Sequence, residues 1–469
     1  MRTESVCRWH EVLSIGLLGL GTMFLYLGWF MQCFVSESVI NAVHGREPNR
    51  IDANAGYYGQ AIHQSIFTIA CLLAPRIHYY LSTKLMLSMS ALFFSIYYIG
   101  FFHIHSYQYY ASLLFTAFAY AFYNQGEGAY ISEHSSRRTI EVNTIIETSV
   151  GHSSMFFGGI VLFAVFYLVP QKSNSHHHYR DFSDRQIQAL YGMLLAVTVL
   201  AGIIFALMPS KQQKDSIAQN SRETFPEFKA YLKNLLKATS NRNVVLVYIT
   251  CAYMGIYVSF ILGIYPTALS FTSSLANDQY LIAFYATSVG VAEISGGLLL
   301  EPLIKRVGER KLQVMMLVHV AFSIVDMTFF VLTIPSMSTM TPNTGASYLF
   351  HPSRLMTCLH GYLIGMGDFT LTASRVTICQ LVLPENLIEV YSVTRAFQCI
   401  SSCAVFYLSC RMTVECWTGT ILGGMALGVT ALLYVDHSTR RKESAASTTP
   451  SEKEASPFPE SAYIDYKVY

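Results

Sequence analysis

Apolar stretches about as long as a membrane is thick recur along the chain, separated by short polar segments. A helix needs roughly 20 mostly apolar residues to cross the hydrocarbon core of a bilayer. The pattern therefore predicts an all-α membrane protein. Its twelve membrane-spanning helices are expected at residues 12–35, 56–76, 85–104, 109–133, 142–169, 187–208, 244–271, 278–300, 312–334, 354–383, 388–410 and 414–435.

The predicted spans fall into two sets of six, joined by a basic connector. A duplicated six-helix unit is typical of the major facilitator fold, in which two halves surround a central site. We therefore predict a cytoplasmic N-terminus at 1–11, halves at 12–208 and 244–435, a connector at 209–243, and a disordered cytoplasmic tail at 436–469. Helical spacing of apolar residues predicts a short amphipathic helix in the connector, on the inner membrane surface. These residues are Phe225, Phe228, Leu232, Leu235 and Leu236.

Basic residues are unequally distributed between the two sides of the predicted membrane. Of the 31 Lys and Arg residues, 22 lie on the side of the N-terminus, 7 lie on the other side, and Arg375 and Arg395 lie inside spans. Because basic segments are retained in the cytoplasm, both termini are expected to be cytoplasmic. The sequence does not distinguish the plasma membrane from an internal membrane.

The composition supports a membrane protein and argues against other classes. Hydrophobic residues make up 52% of the chain and charged residues 13%, about half the charged share of a soluble domain. No nucleotide-binding loop, Ser-His-Asp set or zinc signature occurs in the sequence. We therefore expect a protein that is not an enzyme and has no cofactor, metal or nucleic-acid partner. The lipid bilayer is its first expected partner.

Polar side chains interrupt the fourth and fifth predicted spans. The fourth carries Gln125 and Glu127, and the fifth carries Glu147 and His152 at a similar predicted depth. An acid in hydrocarbon is costly, so Glu127 is expected to face the interior of the bundle. Two interpretations remain open: a hydrogen-bonded structural cluster, or a cavity-lining site for a ligand or a proton. Small residues are expected to let these two helices approach closely. They include Gly126, Gly128, Gly158 and Gly159.

A second polar set lies in the C-terminal half. Asp368 lies almost at the centre of the tenth predicted span, and Arg375 follows seven residues later, about 10 Å deeper at a rise of about 1.5 Å per residue. Arg395, in the eleventh span, has a comparable depth. Either these groups form a structural network, with the arginines extending towards the inner interface, or they line a functional cavity. The candidates of this half are Glu293, Gly365, Gly367, Asp368, Arg375 and Arg395.

Several segments resemble the uncoordinated-93-like (Unc-93-like) ion-channel-regulatory family, a branch of the major facilitator superfamily. They span most of the chain and are most similar to the branch called uncoordinated-93-like facilitator-domain proteins. The resemblance implies an accessory or regulatory factor for a potassium channel or another membrane client. The segments are 124–131, 156–159, 265–272, 290–297, 363–369 and 397–409.

The chain departs from two patterns of these proteins. After the Gly-x-Gly-Asp element the family has Asn-Thr-Gln, whereas residues 372–375 read Thr-Ala-Ser-Arg, so no binding role of those amides is transferred. The loop at 74–86 lacks the acid and glycines of the facilitator latch, whereas 305–311 retains the Arg-x-Gly and the basic end. The alternative to a regulator is a major facilitator transporter of a small solute or ion.

Overall fold

A computed structural model describes residues 2–136, 139–170, 182–210, 216, 228–275, 278–300, 302, 306–382 and 387–447. The described chain is helical almost throughout. The first half consists of α1 Arg2–Arg46, α2 Ala55–Tyr80, α3 Thr83–Gly100, α4 Ser106–His134, α5 with segments Ile140–His152 and Ser154–Leu168, and α6 Asp184–Leu207. A connector helix, Phe228–Thr239, follows.

The second half repeats this arrangement. It consists of α7 (Arg242–Ser259, a π-helical turn Phe260–Ile264, then Tyr265–Phe271), α8 (Leu281–Ser295 and a π-helical turn Gly296–Leu300), α9 Lys311–Thr333, α10 Arg354–Val382, α11 Leu387–Leu408 and α12 Val414–Ser447. The π-helical turn in α7 comes directly before Pro266. Proline has no backbone N–H to donate, and a local π-helical turn is one way for a helix to accommodate it.

Each half packs its helices in the same pattern. α1 packs against α5 and α6, as α7 packs against α11 and α12; α3 packs against α4, as α9 packs against α10. The two halves meet mainly along two seams, α2 against α11 and α5 against α8, and α1 also contacts the second part of α7. This is the twofold repeat expected of a major facilitator fold.

Hydropathy divides the helices into two groups. Eight helices in the described part of the chain are long and apolar enough to cross a membrane by length and composition. The other four long helices, α2, α4, α10 and α11, coincide with predicted spans but carry more polar side chains. The polar candidates Glu127, Asp368, Arg375 and Arg395 all lie on three of these four helices. Helices that face other protein segments, rather than lipid, tolerate such groups.

Both ends of the helical region differ from the prediction. α1 begins at Arg2, so the segment predicted as a separate N-terminus is helical. α12 continues past the boundary predicted at 436 to Ser447, and Arg440 donates a hydrogen bond of 2.8 Å to Asp436 one turn before it. Such a pair supports a helix that extends beyond the bilayer. The remainder of the predicted tail lies outside the described residues.

The connector helix overlaps the predicted amphipathic segment. Its lysines Lys229 and Lys233 are exposed, and Leu236 is also exposed. An exposed apolar side chain next to lysines is what a helix on an anionic membrane surface would present. Phe225 lies outside the described residues.

The glycines make close contacts, but not between the helices that we expected. A Cβ atom at Gly126 would lie 2.9 Å from Leu87 of α3, one at Gly158 would lie 2.7 Å from Met31 of α1, and nothing lies within 4 Å at Gly128. The expected tight packing of α4 on α5 is therefore wrong. The sequence shows that a helix carries small residues, but not which neighbouring helix approaches them.

Close backbone approaches occur instead at the seam between the halves. A Cβ atom at Gly159 of α5 would lie 2.7 Å from the backbone nitrogen of Thr287 in α8, and one at Gly290 of α8 would lie 2.2 Å from the backbone nitrogen of Phe156. Gly365 of α10 also approaches α8, since its Cβ would lie 2.9 Å from the Val289 carbonyl oxygen. These glycines bring α5, α8 and α10 together at the centre of the molecule.

We expect Gly290→Ala to destabilise the protein, because the added methyl group would overlap the α5 backbone, which cannot rotate away as a side chain can. Overpacking of this kind costs about 1–3 kcal/mol. The measurement is the thermal unfolding midpoint of the purified protein in detergent. Gly297→Ala, on the same helix with nothing within 4 Å of its Cβ position, is the matched control. Equal unfolding midpoints for the two variants would contradict the close contact of α8 with the α5 backbone at Gly290.

Candidate functional site

The first polar cluster lies between α1, α4 and α5. Glu147 is fully buried and accepts a hydrogen bond of 2.8 Å from the Thr22 hydroxyl, which accepts one of 2.9 Å from Tyr123. The Glu127 carboxyl interacts with both Glu147 and Tyr123. The structure therefore brings together Glu127 and Glu147, as their predicted depths suggested. In the described part of the chain Glu127 has no hydrogen bond to Gln125, which is half-buried.

His152 belongs to a different group. Its Nδ1 lies 3.3 Å from Oε2 of Glu293 on α8, and the Glu293 side chain is 2% exposed. Glu147, on the same helix, interacts with His152 only at longer range. α5 is interrupted after His152, and the imidazole is directed across the seam. The pair thus connects the two halves, which sequence spacing along one helix did not indicate.

Asp368 joins this pair from a third helix. It is the central residue of α10, and its carboxylate interacts with Glu293, His152 and Arg375. Its Oδ1 is buried and has no hydrogen-bond partner among the described residues. A buried acceptor without a partner is unfavourable unless another group, such as a bound solute or water, reaches it. His152, Glu293 and Asp368 form what we call the central triad.

The two intramembrane arginines lie on different sides of this triad. Arg375, on α10, is 7% exposed and interacts with Asp368. Arg395, on α11, is half-buried and donates a hydrogen bond of 3.2 Å to Gln398 on the same helix. Its charge also interacts with Tyr120 and Tyr26 of the first half. Arg375 is therefore buried within the bundle, whereas Arg395 stays partly accessible.

A buried acid–imidazole pair within the second half was not selected from the sequence. Nδ1 of His360 on α10 lies 2.8 Å from Asp326 of α9, with side chains 3% and 1% exposed. His319, on the same face of α9, contacts the Gly367 carbonyl oxygen at 2.8 Å and the Tyr253 hydroxyl at 2.7 Å. Asp326 and His319 are seven residues apart, and this spacing was the only signal that they share a face. These contacts fix α9 against α10 and α7.

A second missed group lies at the end of the bundle where α1 ends. Glu37 is buried near the end of α1 and accepts a hydrogen bond of 2.7 Å from the Tyr57 backbone. The Tyr57 hydroxyl donates to the Thr339 carbonyl oxygen of the second half at 3.0 Å. Glu37 lies two residues beyond the predicted first span, which ended at 35, and so it was assigned to a loop. The two halves are in contact at this end.

In the part of the chain that the structure describes, no group of three or more His, Cys, Asp or Glu side chains is arranged to hold a metal ion. What the central triad offers is hydrogen bonding and charge at a place where three helices from both halves meet.

Comparison with known proteins identifies the family. A family model described as ion channel regulatory protein UNC-93 matches residues 47–433. The chain belongs to the UNC-93 family. The UNC93-like protein MFSD11 of Xenopus laevis is 22% identical over 417 residues, which cover 85% of this chain and 90% of the relative. The protein of that name from Xenopus tropicalis is 23% identical over 418 residues, with the same coverage.

Solved structures with a similar fold are transporters. A peptide transporter, POT, in complex with sulfate superimposes with a TM-score of 0.66 at 9% identity, covering 91% of this chain and 94% of the transporter. The major facilitator superfamily transporter FucP in its outward conformation gives a TM-score of 0.56 at 13% identity, covering 91% and 99%. At these identities the likeness shows the major facilitator fold alone. The UNC-93 protein is therefore an integral, multi-pass membrane protein, and family and fold both point to a non-enzymatic one.

We expect Glu127→Gln to be mild and Glu127→Leu to be destabilising. A glutamine amide can still donate a hydrogen bond to Glu147, whereas leucine leaves that carboxylate short of a partner, at about 1–3 kcal/mol. Thermal unfolding midpoints of the purified variants measure this difference. Gln125→Leu, another polar-to-apolar change on α4, serves as the control and should be close to neutral. A Glu127→Gln variant that is as stable as the wild type but has lost the function of the wild-type protein would contradict a purely structural role.

Proposed function

We propose that this UNC-93 protein is an accessory or regulatory factor for a membrane client, with a potassium channel as the first candidate. The observation that carries the proposal is the match to the ion channel regulatory family over residues 47–433. The match includes eleven of the twelve long helices and the whole central region, so it does not depend on one short motif.

The geometry of the two halves supports a role as a two-state regulator. Contacts across the seam include two polar pairs, His152 with Glu293 at the centre and Tyr57 with Thr339 towards one end, beside aromatic contacts such as that of Phe163 with Phe284. Packed interfaces between rigid halves can adopt two discrete arrangements. A client that binds one arrangement better than the other would shift the population, and the protein would in turn bias the client.

A second candidate function is the transport of a small solute or ion. The observation in its favour is the central triad, since charged groups inside a membrane bundle often mark the path of a solute or proton. In this mechanism Glu293 and Asp368 contact the solute or exchange a proton, and the unpartnered Oδ1 of Asp368 is the first contact. Departure from the facilitator latch at 74–86 favours the regulator over the carrier.

The two functions give different results with the same purified protein. For the regulator, we expect a potassium channel to co-purify with the full-length chain from cells that express both. The amplitude of the channel current should change when the chain is present. The purified chain alone should show no solute uptake in liposomes. For the carrier, we expect saturable uptake that Asp368→Asn abolishes.

Asp184→Asn is the matched control, because Asp184 is an exposed acid whose side chain is 63% accessible and pairs with Arg46 at the outer end. It should leave both readouts unchanged. Uptake that persists in Asp368→Asn would contradict the carrier. A potassium-channel current that is identical with and without the chain would contradict the regulator.

We further propose that both termini are cytoplasmic, on the basis of the unequal distribution of basic residues. An epitope tag inserted in the loop at 170–186 should be labelled by antibody in unpermeabilised cells or in intact vesicles of lumenal-side-out orientation. A tag after residue 447 should be labelled only after permeabilisation. The reverse labelling pattern would overturn the orientation.

A further inference from the structure

Arg395 is a charged group near the middle of a membrane helix that is not matched by a neighbouring acid. It is the ninth of the 22 residues of α11, and it makes one hydrogen bond, to Gln398 at 3.2 Å. Within the described ranges no carboxylate lies within ion-pair distance of its guanidinium. A guanidinium has five N–H donors, so most of its capacity is unused. An intramembrane arginine in this state is expected to have a partner.

The surroundings of Arg395 come from the other half of the protein. Apart from burial, its strongest electrostatic neighbours are Tyr120 of α4, the thiols of Cys399 and Cys71, and Tyr26 of α1. Tyr26 and Tyr120 are half-buried, and neither hydroxyl has a hydrogen-bond partner among the residues that the structure describes. Tyr120 packs against the buried cluster that contains Cys399, one helical turn along α11 from Arg395, so these hydroxyls and the guanidinium lie in the same region of the bundle.

Aromatic rings pack together in this region, with Trp29 and Tyr123 buried behind Tyr26 and Tyr120. The ring centroids of Tyr26 and Tyr120 are 6.3 Å apart, Trp29 lies 5.6 Å from Tyr120, and Tyr123 lies 4.9 Å from Tyr26. Pockets for small molecules are typically built in this way, with an apolar aromatic lining and a few polar groups that fix orientation. The accessible parts of Tyr26 and Tyr120 offer contact area, and the unused donors of Arg395 offer recognition of a negative charge.

The acid pair Glu127 and Glu147 determines how much negative charge a ligand beside Arg395 can carry. Glu127 interacts with Arg395 at longer range, and it adjoins Glu147. A ligand with two negative charges would bring its second charge towards these acids. A ligand with one negative charge satisfies Arg395 and leaves its remaining surface against the rings. The arrangement therefore favours a monoanion with an apolar body.

We propose that Arg395, Gln398, Tyr26 and Tyr120 form a binding site for the carboxylate of a small organic acid with an apolar or aromatic body. The planar guanidinium matches a carboxylate with two parallel hydrogen bonds, and the tyrosine hydroxyls donate to the same oxygens. The site does not depend on the proposed regulatory function: a solute held there acts as an effector in a regulator and as cargo in a carrier.

The test is a binding measurement on the full-length protein in lipid nanodiscs. Benzoate and hexanoate are the carboxylate probes, with benzamide, benzylamine and inorganic phosphate as the neutral, cationic and dianionic comparisons. We expect saturable heat by titration calorimetry, and a raised unfolding midpoint, for at least one carboxylate and for none of the comparisons. No response to either carboxylate, or an equal response to benzamide or phosphate, would overturn the proposal.

Variants then locate the site. Arg395→Gln should weaken carboxylate binding about ten-fold or more, because charge-assisted bidentate bonds are the strong ones, and Tyr120→Phe should weaken it about three- to ten-fold while keeping the ring. Arg354→Gln is the matched control, since Arg354 is exposed and paired with Asp278 at the start of α10; it should bind like the wild type.

A fold check keeps the test decisive. Each variant is compared with the wild type by size-exclusion profile before titration. If Arg395→Gln does not fold, Arg395→Lys, which keeps the charge but loses the planar fork, and the Tyr26→Phe and Tyr120→Phe double variant take its place. Carboxylate binding that is unchanged in the double variant, or in a folded Arg395→Gln, places the carboxylate elsewhere and overturns the assignment.

Discussion

A charge inside a bilayer has to be matched by the protein itself, because lipid offers it no hydrogen bonds. This constraint explains why the intramembrane acids and bases of this UNC-93 protein lie at helix contacts. Glu147 is held by Thr22, Glu293 by His152 and Asp326 by His360. Asp368 and Arg395 lie at such contacts too: Oδ1 of Asp368 has no hydrogen-bond partner among the described residues, and Arg395 donates to Gln398.

The sequence was sufficient to predict the architecture, because hydropathy reports how deep each residue lies. The all-helical membrane protein and its major facilitator arrangement follow from apolar length and repetition, and eight of the long helices in the described part of the chain are apolar enough to span a membrane. The resemblance in the segments around Glu127, Glu293 and Asp368 was also sufficient for the family, which the comparison confirmed. These are properties of depth and order, and neither requires knowledge of which helices touch.

Depth gives the level of a residue in the membrane, but not the side of its helix from which the side chain projects. The partners of the polar residues could therefore not be predicted. His152 was grouped with Glu127 by depth, yet it pairs with Glu293 on another half. Gly158 and Gly159 are adjacent, yet they face α1 and α8 respectively. Glu37 was missed for a different reason: α1 extends to Arg46, well beyond the apolar stretch that marked its predicted end. The roles of the candidate site residues stay predictions.

The close backbone contact of Gly159 and Gly290 has a mechanical consequence. It lies near the centre of α5 and α8, so these helices can tilt against each other about that point as about a pivot, with little sliding. For a hydrocarbon core roughly 30 Å thick, a tilt of about 10° would displace the helix ends by only about 3 Å at each membrane face. A movement too small to unpack the seam is therefore large enough to break a hydrogen bond such as that between Tyr57 and Thr339. A neighbouring membrane protein would then contact a surface of different shape.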